Sequence, residues 1–262
     1  MIPRAFITAW RSEAPWQTNE QVEQDLVISR TLVEIYSDEL LQRHLAFRGG
    51  TALYKLFLMP PVRYSEDIDL VQIKSGPIGP IFDRLQEKLN FLGAPRRSQR
   101  NQNNTLLYRF ESEIPPIIRL RLKIEINCRE HFAIFGVQQK LFKVQSPWFN
   151  DTAQLTTFTL EELLGSKLRA LYQRKKGRDL FDLWYALTIT EVNCNQVIHS
   201  FHRFMEASGA SVTRRQFENN LQNKINDIEF LGDTTALLRT DVIYDPQIAH
   251  EQVMENLIRK LD

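Results

Sequence analysis

Asp67 and Asp69 alternate with Ile68 and Leu70 in a short stretch of the chain. In an extended strand, residues two apart project from the same face, so the two carboxylates would lie side by side. Neighbouring carboxylates raise each other's pKa unless a positive charge lies between them. Oxygen ligands of this kind suit Mg²⁺, with Mn²⁺ as the alternative. The spacing therefore indicates a divalent-cation site, although D-x-D by itself also fits a solvated edge strand with two exposed acids.

The tripeptide Gly49-Gly50-Thr51 lies between a short apolar run and an apolar helical stretch. At such a turn, backbone N–H groups and the helix N-terminus can hold a phosphate. Glycine lets the backbone approach a ligand closely, and Thr51 could cap the helix while its hydroxyl faces the anion. The turn is not a P-loop, because no Gly-Lys-Ser/Thr follows. On this motif alone, a phosphate site and a plain strand-to-helix turn both remain open.

Glu125 is the third acid of interest. It belongs to the segment 119–127, in which polar and apolar residues alternate strictly. A strand there would place Glu125 on one face with Arg121 and Lys123. Glu125 could serve as a metal ligand or as the base for an incoming hydroxyl. An ordinary cross-strand ion pair is the competing interpretation.

Hydrophobic periodicity predicts the elements that must position these residues. Strands are expected at 45–47, 67–73, 106–110 and 117–127, with a hairpin partner between 133 and 144. The polar, basic segment 95–104 is expected to be an exposed turn, and the chain beyond Trp148 to be all helical. These patterns predict an α+β protein with one domain at 1–150 and a helical domain at 151–262.

A helix is expected to begin at Thr159, whose spacing to Glu162 is that of a capping box. Lys167 lies on this helix within an apolar stripe, so its ammonium must find a partner or extend to solvent. Asp179 and Asp182 are one turn apart at the start of the next helix, where acids also interact favourably with the helix dipole. On these grounds Lys167 either pairs with another group or extends to solvent, and Asp179 fits a helix-capping position; a functional interpretation of both comes only from the resemblance described below.

The order of these features resembles that of the polymerase-β-like nucleotidyltransferases. The segments Phe47–Leu53 and Arg63–Leu70 resemble, more specifically, the first motif of the AbiEii-type nucleotidyltransferases, a family of toxins from bacterial toxin–antitoxin and phage-abortive pairs. The resemblance covers roughly residues 45 to 185 and continues through Lys123–Glu125, Lys167, Arg174 and Arg178–Asp182. The sequence departs from the family pattern at the third acid, which is Glu rather than Asp.

The resemblance implies transfer of a nucleoside monophosphate from an NTP: an acceptor hydroxyl attacks the α-phosphorus in line, and pyrophosphate leaves. It implies a polymerase-β-like domain with a mixed sheet, followed by a helical domain that contributes to the site. The expected metal ligands are Asp67, Asp69 and Glu125, and the expected catalytic group adds Lys167 and Asp179. The expected nucleotide-binding residues are Gly49, Gly50, Thr51, Arg63, Ser65, Lys123 and Arg174. Asp182 is expected to have a structural role and not a role in the reaction.

The resemblance also points to the tRNA acceptor end as the acceptor and to a cognate antitoxin protein as the partner. RNA requires a basic, exposed surface, for which the candidates are Arg96, Arg97, Arg100, Lys175, Lys176 and Arg178. Each cluster equally fits an ordinary solubilising surface, and the net charge of +1 indicates no large RNA footprint. Ser65 closely precedes the metal acids, and some family members are silenced by phosphorylation near this motif. A phosphoryl group there would block nucleotide entry by charge.

Composition excludes several other classes of protein. The chain has 43% hydrophobic and 25% charged residues, which is typical of a globular protein. It has no run of apolar residues long enough to span a membrane and no signal peptide, so we expect a cytoplasmic protein. Cys128 and Cys194 lack the spacing of a zinc site or a disulfide framework. His199 and His202, one turn apart, are expected to be a solvated or packed pair rather than metal ligands.

Three rival functions fit part of the pattern. A nucleotidyltransferase outside toxin biology could modify a protein or a small molecule such as an antibiotic. A metal nuclease would also combine acids with a lysine on a strand, but its usual order is E-x-K, whereas here Lys123 precedes Glu125. A non-catalytic binding protein on the same fold is disfavoured, because the residues expected at the site are all retained, namely Gly50, Asp67, Asp69 and Lys167.

Overall fold

A computed structural model of the chain describes residues 2–100 and 103–262. The chain divides into two compact units, residues 1–158 and 159–262. The strands of the first unit are β1 (Leu45–Arg48), β2 (Asp67–Gln72), β3 (Arg96–Arg100), β4 (Asn103–Glu111), β5 (Arg119–Asn127), β6 (Gln138–Gln145) and β7 (Asn150–Thr157). Its helices are α1 (Arg4–Trp10), α2 (Asn19–Tyr36), α3 (Glu39–His44), α4 (Gly49–Leu56) and α5 (Gly79–Lys88), and Asn90–Leu92 form a single 3₁₀ turn.

Over the described residues the strands form one mixed sheet in the order β3-β4-β5-β2-β1-β7-β6. β2 lies at the centre, parallel to β5 on one side and antiparallel to β1 on the other. The predicted α+β class with a mixed sheet is confirmed. Because β1 runs directly into α4, the start of that helix lies beside the central strand.

The two faces of the sheet differ in chemistry because side chains alternate along each strand. On one face, Ile68, Leu106 and Ile124 are fully buried. Helix α2 packs against β5, β6 and β7. The other face carries four half-buried charged residues: Asp67 and Asp69 of β2, and Lys123 and Glu125 of β5. The sheet thus offers one apolar face to the core and one polar face to ligands.

Two strand predictions are wrong in their details. The segment 95–104, expected to be an exposed turn, contains β3 and the start of β4, while Asn101 and Gln102 lie outside the described residues. β3 is an edge strand whose polar residues face solvent, so it lacks the apolar alternation that marks a strand. The expected hairpin partner at 133–144 corresponds to β6, but β6 pairs with β7, and the antiparallel partner of β5 is β4.

The boundary between the units falls after Phe158, whereas the sequence placed it near residue 150. The segment after Trp148 is not yet helical, because Asn150–Thr157 forms β7 and pairs with β1 and β6. Its first three residues are exposed and polar, so the buried positions at its end are too few to show a strand period.

The second unit is helical over its described residues. Its helices are α6 (Leu160–Gln173), α7 (Gly177–Ile189), α8 (Cys194–Ala207), α9 (Arg214–Ile225), α10 (Ile228–Gly232) and α11 (Pro246–Asn256), and Ile258–Lys260 form a 3₁₀ turn. As predicted, Thr159 caps the N-terminus of α6, and its hydroxyl accepts a hydrogen bond from the N–H of Glu162. Within 2–100 and 103–262, no helix combines the length and apolar character needed to cross a membrane.

Candidate active site

The three predicted acids lie on the polar face of adjacent strands. The parallel register of β2 and β5 places Asp69 beside Glu125 and Asp67 beside Lys123. Along β2, Asp67 and Asp69 are two residues apart, and along β5 so are Lys123 and Glu125, so all four side chains share one face of the sheet. The structure therefore brings Asp67, Asp69, Lys123 and Glu125 into one group of charges at the centre of the sheet.

Lys123 balances this group. Its Nζ lies 3.2 Å from Oδ2 of Asp67 and 3.3 Å from Oε2 of Glu125. Burial lowers the pKa of Lys123, but the carboxylates of Asp67 and Glu125 outweigh it and hold that pKa above its usual range. For Asp67, burial raises the pKa, Lys123 lowers it and Asp69 raises it again, and the net direction is upward. The pKa of Asp67 is therefore raised first by burial and then by the charge of Asp69, and the Lys123 ammonium offsets only part of these two effects.

The donor set fits a Mg²⁺ ion held by two carboxylates. Asp67 and Asp69 present oxygen ligands on one face, and the pKa of Asp67 is raised first by burial and then by the charge of Asp69, both of which a bound cation would offset. Although the three predicted acids share this face, no group of three or more His, Cys, Asp or Glu side chains in the part of the chain that the structure describes is arranged to hold a metal. Glu125 instead accepts from Lys123 and from Asn103. Mg²⁺ ordinarily takes one or two carboxylates together with substrate phosphates, so the pair suffices.

Asp69 also lies against the start of α4. Gly49 begins this helix with φ +81°, and a Cβ built on it would lie 2.2 Å from Oδ2 of Asp69. Only glycine fits this position, because of both its backbone conformation and the contact. The free N–H groups of the first helical turn and the candidate metal ligand thus meet at one point. Anions are favoured at such a helix end.

Arg63 and Ser65 lie against the second glycine of the turn. A Cβ on Gly50 would lie 2.5 Å from Nη2 of Arg63 and 3.2 Å from Oγ of Ser65. Arg63 is buried, and its guanidinium carbon lies 4.9 Å from the centre of the Tyr54 ring. A guanidinium held in this way is fixed beside the helix start, where a phosphate would arrive.

Thr51 plays a different part from the one expected. Its hydroxyl is buried and hydrogen-bonds to the main-chain oxygen of Asp67 and to Oγ of Ser65, 2.8 Å away. The N-cap position is Arg48, and no side chain caps the helix. The prediction that Thr51 caps α4 with its hydroxyl towards an anion is therefore wrong. The hydroxyl fastens α4 to the start of β2 and so sets the position of Asp67 relative to the glycine turn.

Two buried polar residues of α2 were missed by the sequence interpretation. Asp25 accepts from the indole N–H groups of Trp10 (2.9 Å) and Trp16 (3.0 Å) and from Nζ of Lys55 (2.7 Å). Because Lys55 lies on α4, this buried charge pair fixes α4 against α2. Gln24 donates to the main-chain oxygens of Glu66 and Arg121, which joins the starts of β2 and β5. The sequence signal was the polar run Glu23-Gln24-Asp25 between the apolar residues Val22 and Leu26.

The basic residues considered for RNA contact separate into two kinds. In the second unit, Lys175 pairs with Asp227 and Glu229, while Lys176 and Arg178 pair with Asp233. Arg97 pairs with Asp83 and lies over the Phe82 ring. Arg96 lies on the opposite face of β3 and, among the described residues, has no ion-pair partner; the side chain of Arg100 lies outside the described part. Only Arg96 among these six is thus seen as a cation without an internal counter-charge.

Lys167 is the centre of a buried network in the second unit. Its Nζ lies 2.8 Å from Oδ2 of Asp182 and 3.1 Å from Oδ1 of Asp179. Arg174 adds a two-pronged interaction with Asp179, through Nε at 2.6 Å and Nη2 at 2.8 Å. Burial raises the pKa of Asp179, but Lys167 and Arg174 outweigh it and lower it to about 2. The Lys167 ammonium is thus paired with Asp179 and Asp182 and does not extend to solvent. The roles of Lys167, Asp179 and Arg174 towards a nucleotide stay predictions.

Comparison with known proteins adds the family. The nucleotidyltransferase toxin MenT4 from Mycobacterium tuberculosis H37Rv has a similar fold, with a TM-score of 0.61, 17% identity, and coverage of 100% of this chain and 91% of MenT4. JHP933 from Helicobacter pylori is also similar, with a TM-score of 0.53, 17% identity, and coverage of 91% and 90% of the two chains. At such identities the likeness shows the fold alone. The curated proteins include no match.

The family profile described as nucleotidyl transferase AbiEii toxin, type IV toxin–antitoxin system, matches residues 30–255. This range includes the glycine turn, Asp67, Asp69 and Glu125, and it extends through α6 to most of α11. Because the match spans most of the sequence, the protein belongs to the AbiEii nucleotidyltransferase toxin family.

Proposed function

We propose that the protein transfers a nucleoside monophosphate from an NTP to an RNA acceptor, the 3′ end of tRNA, with release of pyrophosphate. We further propose that it acts in the cytoplasm and that a cognate antitoxin protein neutralises it. The observation that carries the proposal is the contact of Asp69 with Gly49, because it joins a candidate metal ligand to a helix start suited to phosphate. Membership of a toxin family supports a nucleotide substrate and an antitoxin partner.

The residues divide the reaction between them. The first-turn N–H groups of α4 and the guanidinium of Arg63 would bind the β- and γ-phosphates and favour the charge that develops on pyrophosphate. Mg²⁺, held by Asp67 and Asp69, would supply charge neutralisation at the α-phosphate. The acceptor hydroxyl forms the new O–P bond as the bond to pyrophosphate breaks. Glu125, which lies beside Asp69 on the same face, would accept the hydroxyl proton.

The test is to follow where the label goes. The purified protein is incubated with each α-labelled NTP, Mg²⁺, total RNA and total protein. We expect label in RNA of tRNA size, and none with Asp69→Asn. Asp151→Asn serves as the control, since it removes an exposed acid from β7 of the same sheet. If the label appears in protein or in a small molecule, the acceptor is that molecule and not RNA. If no transfer occurs under any condition, the proposal is refuted.

A further inference from the structure

A cavity of about 410 Å³ opens on the polar face of the sheet, directly beside Asp67. Its lining consists of Asp67, Arg96, Ser98, Thr105, Leu107, Arg121 and Lys123. The volume lies within the range of about 300–1,000 Å³ that is typical of small-ligand sites. The cavity is therefore large enough to receive part of a substrate rather than only solvent.

The strand register explains the composition of the lining. One row across the sheet contains Arg96, Leu107, Lys123 and Asp67, each opposite the next on adjacent strands. The neighbouring row contains Ser98, Thr105, Glu125 and Asp69. Both rows change from basic or hydroxyl-bearing residues at the edge strand to acids at the centre. The lining thus combines basic and hydroxyl-bearing side chains with one candidate catalytic acid, Asp67.

The charges of the lining favour an anionic occupant. Lys123 is already paired with Asp67 and Glu125. By contrast, neither Arg96 nor Arg121 has a side-chain ion pair or hydrogen bond to any residue within 2–100 and 103–262. Two guanidinium groups that lack counter-charges and face one cavity are suited to phosphate. The hydroxyls of Ser98 and Thr105 add donors and acceptors suited to a ribose.

The position of the cavity indicates which substrate it receives. The glycine turn lies on the β1 side of β2, whereas the cavity lies on the β5 side. In an in-line displacement, the attacking oxygen and the leaving pyrophosphate lie on opposite sides of the phosphorus. If the triphosphate binds at the glycine turn, an acceptor held in the cavity would approach from the side opposite to the leaving pyrophosphate.

We propose that this cavity binds the 3′-terminal nucleotides of the acceptor RNA, with Arg96 and Arg121 contacting its phosphates. The proposal rests on the function proposed above and adds the site at which the acceptor is held. It also separates two residues that the sequence grouped together. Arg96 faces the cavity, whereas Arg97 points to the opposite face of β3 and pairs with Asp83.

The experiment compares two double variants of the full chain. Arg96→Ala/Arg121→Ala removes the cavity cations, and Arg97→Ala/Arg203→Ala removes two surface arginines outside the cavity. Binding of a fluorescein-labelled 12-nucleotide RNA that ends in CCA is measured by anisotropy over a KCl series. The thermal shift produced by each NTP is measured on the same proteins. Circular dichroism confirms folding, and Arg96→Lys/Arg121→Lys keeps the charges in case the alanine variant is unstable.

We expect the cavity variant to bind RNA about tenfold more weakly at low salt, with a log–log salt slope reduced by about 1.4, since each phosphate contact on a single strand contributes about 0.7. The control should bind as the wild type does, the lysine variant should keep the wild-type salt slope because it keeps both charges, and the NTP shifts should not change. Unchanged RNA binding in the cavity variant would overturn the inference, even if the wild type still labels RNA. The inference would also be overturned if the cavity variant lost only the NTP-induced thermal shift, because the cavity would then bind the NTP and not the RNA. A wild type that labels no RNA would instead refute the proposed function.

Discussion

Replacement of Gly49 by alanine would place a methyl carbon 2.2 Å from Oδ2 of Asp69. A relaxed carbon–oxygen contact is about 3.3 Å or longer, so the carboxylate would have to move by about 1 Å. A displacement of that size at a reacting centre costs about 100-fold in rate. In addition, Gly49 has φ +81°, and a residue with a Cβ in this region costs about 1–2 kcal/mol of unfolding free energy. We therefore expect Gly49→Ala to lose much more activity than stability.

Gly136→Ala is the matched control. Gly136 has φ +79°, and no atom of the described residues lies within 4 Å of its Cβ position. The substitution therefore imposes a similar backbone strain without a collision. Urea unfolding should show a comparable loss of stability in both variants. Initial rates of nucleotide transfer should fall about 100-fold only in Gly49→Ala. Equal rates in the two variants would refute the role assigned to the contact between Gly49 and Asp69.

Three further substitutions test other parts of the site. The pKa of Asp179 is lowered from 3.8 to about 2, so the native carboxylate contributes about 2 kcal/mol to the free energy of unfolding at neutral pH. Urea unfolding of the wild type and Asp179→Asn should differ by this amount above pH 4. A difference that does not shrink as pH falls towards 2 would contradict the assignment. Lys123→Met removes the cation that pairs with Asp67 and Glu125. Mn²⁺ should therefore bind about tenfold more tightly to this variant in an isothermal titration. Weaker binding would show instead that Lys123 supports the metal site. Ser65→Asp adds a negative charge next to Gly50, so transfer activity and the NTP-induced thermal shift should be lost while Ser65→Ala keeps both; a fully active aspartate variant would exclude control by phosphorylation.

The polar face of the site could be predicted from the sequence because strand alternation is a local property. The spacing of Asp67 and Asp69, and of Lys123 and Glu125, already places each pair on one face. The pairing between them could not be predicted, because it depends on β2 lying parallel to β5 rather than to another strand. The bridging position of Lys123 follows from that register alone.

Local patterns failed where a partner distant in the chain decides the structure. Lys175 forms a basic cluster in the sequence, but Asp227 lies 52 residues away and neutralises it. Thr51 follows the glycines as a cap residue would, but α4 begins before it, and its hydroxyl hydrogen-bonds to a main-chain oxygen of β2 instead. Strand β3 carries no apolar period because it is an edge strand with a solvated surface. Each of these outcomes depends on tertiary contacts that composition and spacing do not contain.

The most direct measurement of the central claim is the mass of a single purified tRNA transcript after incubation with the protein, the four NTPs and Mg²⁺. Nucleotidyl transfer at the paired carboxylates predicts an RNA heavier by whole nucleotide residues at its 3′ end, with the wild type and not with Asp67→Asn or Asp69→Asn. An RNA of unchanged mass with the folded wild-type protein, or an equal gain with both asparagine variants, would contradict it.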